Sequence, residues 1–190
     1  EINDGLSQQV RITITPLKNW NIIGELNIKT DNNWTHYEHK RVYSHMANDP
    51  EKTYVATMTG PSEDKVYEYA YKSLFLNPNV YTNYDITLGQ HTIAATAGMQ
   101  IERQKYRDVS AQRADMISTD LPVLNLTTSS QSYGISGVVQ EWASAGFFGR
   151  INYDYAGRYL VEGNLRYDGS SRFRRGNRWI LTPSFSLGWN

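Results

Sequence analysis

The 190-residue chain has no formal net charge at pH 7 and contains no cysteine, yet it holds 14 tyrosines and 5 tryptophans. Its length suffices for one ordinary domain, and its neutrality argues against a nucleic-acid partner. The missing cysteines exclude a disulfide framework, a thiolate metal site and a cysteine nucleophile. Abundant aromatic residues beside abundant polar ones indicate that the two kinds are sorted onto two faces of the fold.

Alternation of apolar and polar residues with a period of two is the dominant pattern along the chain. In the clearest example, Trp20, Ile22, Leu26 and Ile28 share one face of a strand, and only Ile23 breaks the pattern. We therefore predict an all-β fold, an antiparallel meander of about seven strands. The predicted strands lie near residues 8–15, 20–36, 77–87, 91–103, 143–155, 158–168 and 179–189. Most approach the ~9–11 residues that a tilted strand needs to cross a bilayer.

The predicted connections alternate in length. Short links fall near 16–19, 88–90 and 156–157, and long polar segments fall near 39–76, 104–141 and 168–178. Membrane β-barrels have tight turns at one end and long extracellular loops at the other. The pattern therefore favours a transmembrane β-barrel.

One segment inside the first long loop fits two patterns. Val66, Ala70 and Leu74 have helical spacing, whereas the tyrosines at 67, 69 and 71 alternate as in a strand. We favour a strand that continues into the next crossing.

Aromatic residues cluster at the ends of the predicted strands. On the apolar face they are Trp20, Tyr153, Tyr155, Tyr159, Tyr167, Trp179 and Trp189. Amphipathic rings at such positions are typical of the girdles of a membrane barrel. The alternative from the residues alone is a soluble β-sandwich, a carbohydrate-binding module in which the same aromatic face is the core.

The C-terminal third carries the most specific motif. Residues 148–155 read FGRINYDY, residues 166–173 read RYDGSSRF, and residues 183–189 read PSFSLGW. This run closely resembles the SusC/RagA family of TonB-dependent outer-membrane transporters, in which R-x-D-G-S-S-R-F precedes P-S-x-S-x-x-W.

The resemblance implies that the sequence is an internal portion of a larger barrel in the outer membrane of a Gram-negative bacterium. It also implies an N-terminal plug coupled to the TonB complex, and a SusD-like surface lipoprotein as partner. The implied activity is import of glycan oligosaccharides or peptides, without a cofactor or catalysis. An outer-membrane barrel enzyme or adhesin is a further alternative.

The motif residues have a structural interpretation of their own. These residues are Asp168, Gly169, Ser170, Ser171, Arg172 and Phe173. Glycine tolerates a positive φ, and Asp or Ser side chains bond nearby amides, so we expect a loop nucleus rather than a ligand site. Pro183 lies in a strand-like run where it removes a hydrogen-bond donor, and it predicts a bulge or a strand end.

Two groups of loop residues are candidate binding sites. Arg172, Arg174, Arg175 and Arg178 form a basic cluster that could bind lipopolysaccharide phosphates, or could pair with acidic residues of neighbouring loops. Trp34, Tyr37 and Tyr43 are candidate stacking platforms for a sugar ring or a peptide.

Metal binding and catalysis are disfavoured. His36, Glu38, His39 and His45 occur close together, but loop histidines are usually surface residues. Asp154, Glu162 and Asp168 might be imagined as glycosidase carboxylates. Alternation puts Asp154 and Glu162 on the polar face, where solvated carboxylates are ordinary in a barrel lumen.

Overall fold

The computed structural model of the chain describes residues 1–55, 63–129 and 132–190. Within these ranges the strands are β1 (Ile2–Leu17), β2 (Trp20–His39), β3 (Tyr43–Met46), β4 (Asp49–Val55), β5 (Lys65–Leu88), β6 (His91–Ala114), β7 (Ser132–Tyr155), β8 (Tyr159–Ser170) and β9 (Trp179–Trp189). The described residues form no helix long and apolar enough to span a membrane.

Seven strands form one sheet in the order β1-β2-β5-β6-β7-β8-β9, and β3 pairs with β4 in a separate antiparallel hairpin. Neighbours in the large sheet follow one another along the chain, with only the hairpin inserted between β2 and β5. The predicted all-β antiparallel meander of seven strands is therefore confirmed. The topology opposes a β-sandwich, which needs two sheets packed face to face.

The strands are longer than the alternation predicts. The predicted loop at 39–76 contains the β3–β4 hairpin and the first part of β5. The predicted loop at 104–141 contains the last part of β6 and the first part of β7. Residues 56–62 and 130–131 of those loops lie outside the described residues. The boundaries were missed because the regular alternation breaks off there: polar and charged residues occupy both faces at the end of β6, and apolar Val138 and Val139 are adjacent on β7, although the strands continue. The tyrosine-bearing segment at 67–71 is a strand, as predicted.

The tight turns have the backbone conformations that short hairpins need. Ala156 and Gly157, between β7 and β8, have φ values of 55° and 65°, and type I′ turns require positive φ at both central residues. The Gly157 amide donates to Asp154 Oδ1 at 2.7 Å. Gly89 between β5 and β6 and Asn19 between β1 and β2 also have positive φ.

Contacts divide the chain into two units. The first unit contains residues 1–5, 31–72 and 106–139, and the second contains residues 6–30, 73–105 and 140–190.

In the second unit, the strand register sorts residues onto an apolar and a polar face. Tyr155, Tyr159 and Trp189 are cross-strand partners at one end of the apolar face, and Phe147, Tyr167 and Leu181 are partners towards the other. The alternate positions form the polar face, whose partner sets include Asn152-Glu162-Ser186 and Arg150-Asn164-Ser184. The aromatic residues assigned to β7, β8 and β9 thus share one face near the strand ends.

The apolar face is uncovered within this chain. Ile151, Phe185 and Leu187 are 58%, 69% and 71% exposed, and the buried hydrophobic residues in the described ranges are only Ile23, Val66 and Ala114. Burying one large apolar side chain contributes roughly 1.5–3 kcal/mol. Because this face exposes many such side chains, it needs an apolar surrounding. Ile23, the exception to the alternation, is buried on the polar side of its strand.

Pro183 does not produce a bulge or end a strand. It pairs with Leu165 in the continuous β8–β9 register, near the middle of β9. The prediction was wrong because the unbroken register shows that the β8–β9 ladder accommodates Pro183, and a strand tolerates proline where its missing N–H would face away from the paired strand.

In the first unit, partly buried arginines order the chain around the end of β6. Arg113 donates to the carbonyls of Leu124 at 3.2 Å and Ser129 at 2.6 Å. The Arg41 amide donates to Asp64 Oδ1 at 2.5 Å, and its guanidinium reaches Asp115 at 3.4 Å. The segment after β6 is therefore held by specific bonds rather than being a loose loop.

Candidate functional site

A cluster of tyrosines lies on one face of the first unit. Tyr67, Tyr69 and Tyr71 alternate along β5 and so share a face. Tyr37 of β2 stacks on Tyr67 with ring centroids 4.5 Å apart, and Tyr106 of β6 lies 5.6 Å from Tyr71. We call these five residues the tyrosine cluster.

Hydrogen bonding fixes part of the tyrosine cluster. The hydroxyls of Tyr69 and Tyr106 are 2.8 Å apart. This bond, with burial and the neighbouring Asp108, raises the pKa of Tyr106 above its ordinary value. Tyr106 therefore keeps its proton, and the cluster presents uncharged rings and hydroxyls.

The three aromatic residues predicted as stacking platforms are not brought together. Tyr37 belongs to the tyrosine cluster, whereas Trp34 has the opposite parity on β2 and projects from the other face. There the Trp34 indole donates to Glu68 Oε2 at 2.7 Å, and His36 Nδ1 lies 2.6 Å from Glu68 Oε1. Tyr43 lies on the separate β3 strand and is exposed.

The other tyrosines of the cluster were missed as candidates. The alternation of three tyrosines at 67, 69 and 71 was the available signal, since it places them on one face. Their proximity to Tyr37 and Tyr106 depends on strand register, which the sequence pattern leaves open.

In the second unit, the motif residues connect β7, β8 and the loop before β9. Arg166 donates to both carboxylate oxygens of Asp168, at 3.1 and 2.9 Å. A Cβ at Gly146, opposite Asp168 on β7, would collide with that carboxylate. The glycine therefore provides the space that the ion pair occupies.

Gly169 has a role different from the predicted one. It lies within β8 and is absent from the residues with positive φ. A Cβ there would lie 2.6–2.7 Å from three carbons of the Trp179 indole, which also stacks on Tyr167 at 4.8 Å. The motif needs glycine because the tryptophan ring covers the backbone, rather than for the tolerance of a positive φ from which the loop nucleus was argued.

The serines of the motif anchor the loop that follows β8. Ser171 receives the Ala143 amide on its hydroxyl at 2.9 Å, and its own amide donates to the Ala143 carbonyl at 2.8 Å. The Ser170 amide donates to the Arg178 carbonyl at 3.0 Å, and the Phe173 amide donates to the Ser170 carbonyl at 3.4 Å. These bonds support a loop nucleus.

The four loop arginines have different environments. The Arg172 guanidinium lies 4.8 Å from the Trp142 ring centroid, and Arg178 Nε donates to the Phe173 carbonyl at 3.0 Å. Arg174 and Arg175 are exposed. Trp142 donates to Gln104 Oε1 at 3.0 Å and has polar-face parity on β7, so Arg172 lies on the polar side of the sheet rather than on the apolar side.

A cleft of about 520 Å³ opens beside the motif on the polar face. Its charged lining residues are Glu102, Arg166, Asp168 and Arg178. Both signs of charge are present, and Arg166 is already paired with Asp168. The cleft therefore has no single charge preference.

The carboxylates considered for glycoside hydrolysis are engaged in structural bonds. Asp154 accepts the Gly157 amide, Glu162 accepts the Asn164 side-chain amide at 2.6 Å, and Asp168 binds Arg166. Glu162 and Asp168 are six residues apart on β8, which is roughly 20 Å of strand. Over the described parts of the chain, no group of three potential ligands is arranged for a metal ion.

Comparisons with known proteins identify the fold family. The family model described as "TonB dependent receptor-like, beta-barrel" matches residues 3–190. TonB-dependent receptor P3 of Formosa agariphila is 25% identical over 138 residues, which are 73% of this chain and 14% of that protein. SusC of Bacteroides thetaiotaomicron is 54% identical over 43 residues, which are 23% of this chain and 4% of that protein.

A solved structure of the RagAB peptide transporter matches with a TM-score of 0.77 and 22% identity, covering 97% of this chain and 20% of that chain. The chain thus spans about a seventh of the Formosa receptor and a fifth of the RagAB chain. The family match agrees with the uncovered apolar face, because the strands of a membrane barrel carry such a face. The chain belongs to the TonB-dependent receptor-like β-barrel family.

Proposed function

We propose that the complete protein imports oligosaccharides or peptides across the outer membrane, powered by the TonB complex through an N-terminal plug and assisted by a SusD-like surface lipoprotein. In this proposal the chain forms part of the barrel wall and carries no catalytic chemistry. The observation that carries the proposal is the family match over residues 3–190. The names of the relatives agree with it, since one is SusC and others are RagAB peptide importers.

The dimensions of β9 suit a membrane crossing. Trp179 and Trp189 are the ends of an 11-residue strand and share the apolar face. Ten residue steps extend for about 33 Å, and a tilt of about 40° reduces this to about 25 Å along the membrane normal, the height of the apolar band of such barrels. The two tryptophans would then lie at the two membrane interfaces.

The polar face would line the lumen, because alternate residues of a barrel strand face lipid and lumen. In the first unit, the tyrosine cluster occupies the sequence parity of the polar positions of β2, β5 and β6, and Tyr106 is 15 residues from the tight turn at His91, beyond what a crossing needs. Uncharged aromatic rings with hydroxyls stack on sugar rings or apolar peptide side chains. We place the cargo contact at this cluster, with Tyr37, the most exposed of the five tyrosines, at its surface.

The proposal is tested by deleting the gene and complementing it with the full-length protein. Growth is measured on neutral oligosaccharides and on peptides as nutrient sources, with and without a protonophore that removes the energy for TonB. We expect the wild-type gene to restore growth on one class of nutrient, and the protonophore to abolish uptake. Unimpaired growth of the deletion strain on every nutrient, or uptake that ignores the protonophore, would contradict the importer function.

A matched pair of variants tests the cargo contact. Tyr67→Ala removes a ring from the tyrosine cluster, and Trp34→Ala removes a ring from the opposite face of the same unit. We expect Tyr67→Ala to raise the substrate concentration for half-maximal uptake several-fold at equal surface expression, since one aromatic contact is worth ~0.5–1.5 kcal/mol. Equal effects of the two variants would contradict a cargo contact on this face.

A further inference from the structure

A charged triad lies on the second unit away from the polar face. Arg103 Nε of β6 donates to Glu141 Oε1 of β7 at 2.7 Å, and its Nη2 reaches the same oxygen. Lys105 Nζ is 3.7 Å from Glu141 Oε2. All three side chains are about half exposed, between 44% and 53%. We call these residues the outer triad.

Strand parity places the outer triad on the lipid-facing side. Glu102, next to Arg103 along β6, accepts a hydrogen bond from Ser144 on the polar face at 3.2 Å. Trp142, next to Glu141 along β7, bonds Gln104 on the same polar face. Because neighbouring residues of a strand project to opposite sides, Arg103, Lys105 and Glu141 extend from the face that carries the apolar band.

The register also gives the height of the outer triad. Ala145 of β7 pairs with Gly169, which pairs with Trp179 of the aromatic girdle. Glu141 is four residues further along β7, away from the tight turn. Four steps are about 13 Å of strand, or about 10 Å along the membrane normal at a tilt of about 40°. The triad therefore lies at the level of the lipid headgroups, on the side of the long loops.

The charges of the outer triad do not cancel. Two cations share one carboxylate, and hydrogen bonding from Arg103 lowers the pKa of Glu141 below its ordinary value. The ionised carboxylate accepts from Nε and Nη2 of Arg103 and attracts the Lys105 ammonium, but a guanidinium and an ammonium together carry more N–H donors than one carboxylate can accept. A phosphate is the acceptor that matches such paired cationic donors.

We propose that Arg103 and Lys105 bind a phosphate group of lipopolysaccharide in the outer leaflet, with Glu141 positioning the guanidinium. This proposal rests on the outer-membrane location proposed above. It differs from the site predicted at the loop arginines, where Arg172 stacks on Trp142 and Arg178 bonds a backbone carbonyl. The outer triad instead combines a lipid-facing position, headgroup height and an unneutralised positive charge.

The test uses the full-length protein, purified in detergent and delipidated, and titrated with lipid A while binding is followed by native mass spectrometry. The double variant R103A/K105A is compared with K18A/R158A, which removes two positive charges at the tight turns of the same unit. We expect R103A/K105A to raise the dissociation constant for lipid A by roughly tenfold or more, and K18A/R158A to leave it unchanged. Dephosphorylated lipid A should bind both variants and the wild type equally weakly.

Three outcomes would overturn the proposal. One is equal lipid A binding by R103A/K105A and the wild type, and another is a loss that appears only in R174A/R175A, which would favour the loop arginines. A third is lipid A binding that does not depend on its phosphates. Fractionation separates this failure from failure of the proposed function. A protein found in the outer membrane without this phosphate contact refutes the lipid site alone, whereas a protein absent from that membrane refutes both.

Discussion

Replacing Gly169 by alanine is the sharpest test of how the motif works. The new Cβ would lie 2.6 Å from the Trp179 indole, whereas ordinary contacts begin at 3.4 Å, so the ring must move by about 0.8 Å. Overpacking of this kind costs ~1–3 kcal/mol. The movement also weakens the stacking of Trp179 on Tyr167 at 4.8 Å, where such a pair is worth ~0.5–1.5 kcal/mol. We expect Gly169→Ala to cost about 2 kcal/mol of stability. The cost stays below the sum of the two upper limits because the Trp179 ring is half exposed.

Gly163→Ala is the matched control. Gly163 lies on the same strand and the same face, but a Cβ there meets nothing within 4 Å. Both substitutions gain about 0.5–1 kcal/mol from reduced backbone entropy of the unfolded chain. That gain cancels when the two variants are compared, so their stabilities should differ by about 2 kcal/mol.

The assay is guanidinium unfolding of the full-length protein in detergent micelles, followed by tryptophan fluorescence. Gly169→Ala should lower the midpoint relative to Gly163→Ala. In a Trp179→Ala background the same substitution should cost nothing, because the clashing ring is gone. Equal midpoints for the two alanine variants, or an unchanged cost without Trp179, would refute the role assigned to the glycine.

Two further variants test contacts in the other parts of the sheet. Gly146→Ala should cost about 1 kcal/mol of stability by displacing the Asp168 carboxylate from Arg166, and guanidinium unfolding measures this cost. In an Asp168→Ala background the cost should vanish. A cost that persists there would contradict the assigned clash. The second variant is Tyr106→Phe. Because the pKa of Tyr106 is raised in the folded protein, its bond to Tyr69 stabilises the fold fully below the pKa of about 10 of an unfolded tyrosine. That stabilisation is lost as the pH rises from there through the pKa of Tyr106 in the folded protein. The variant should therefore lose less stability than the wild type above about pH 10, and identical pH dependence of the two unfolding midpoints would oppose this assignment.

The faces of the sheet could be predicted from the sequence because side-chain alternation is local. Trp179 and Trp189, ten steps apart on one strand, fall on the same face in any strand register. The extent of the strands could not be predicted in this way. Around Gln104 and Tyr106 both faces carry polar or amphipathic residues, and the pattern disappears although the ladder continues.

The candidate site was predictable only where one strand contains all of it. Tyr67, Tyr69 and Tyr71 belong together by alternation alone. The contacts of Tyr37 with Tyr67 and of Arg172 with Trp142 join residues about 30 positions apart, and a shift of one residue in strand register would reverse the face of Tyr37, Tyr67 or Trp142. The sequence motif therefore identified the family before it could show what its glycine and arginines contact.

The central claim is that lipid covers the apolar face of this sheet and the aqueous lumen borders the polar face. Phe185 and Ser184 are neighbours on β9 with opposite parity, and the chain has no cysteine of its own. Phe185→Cys and Ser184→Cys, each made in a cysteine-free full-length protein, can carry the same fluorophore in reconstituted vesicles. We expect nitroxide groups on lipid acyl chains to quench the label at 185 and aqueous iodide to quench the label at 184. Equal quenching of both labels by iodide, or the reverse pattern, would contradict the account.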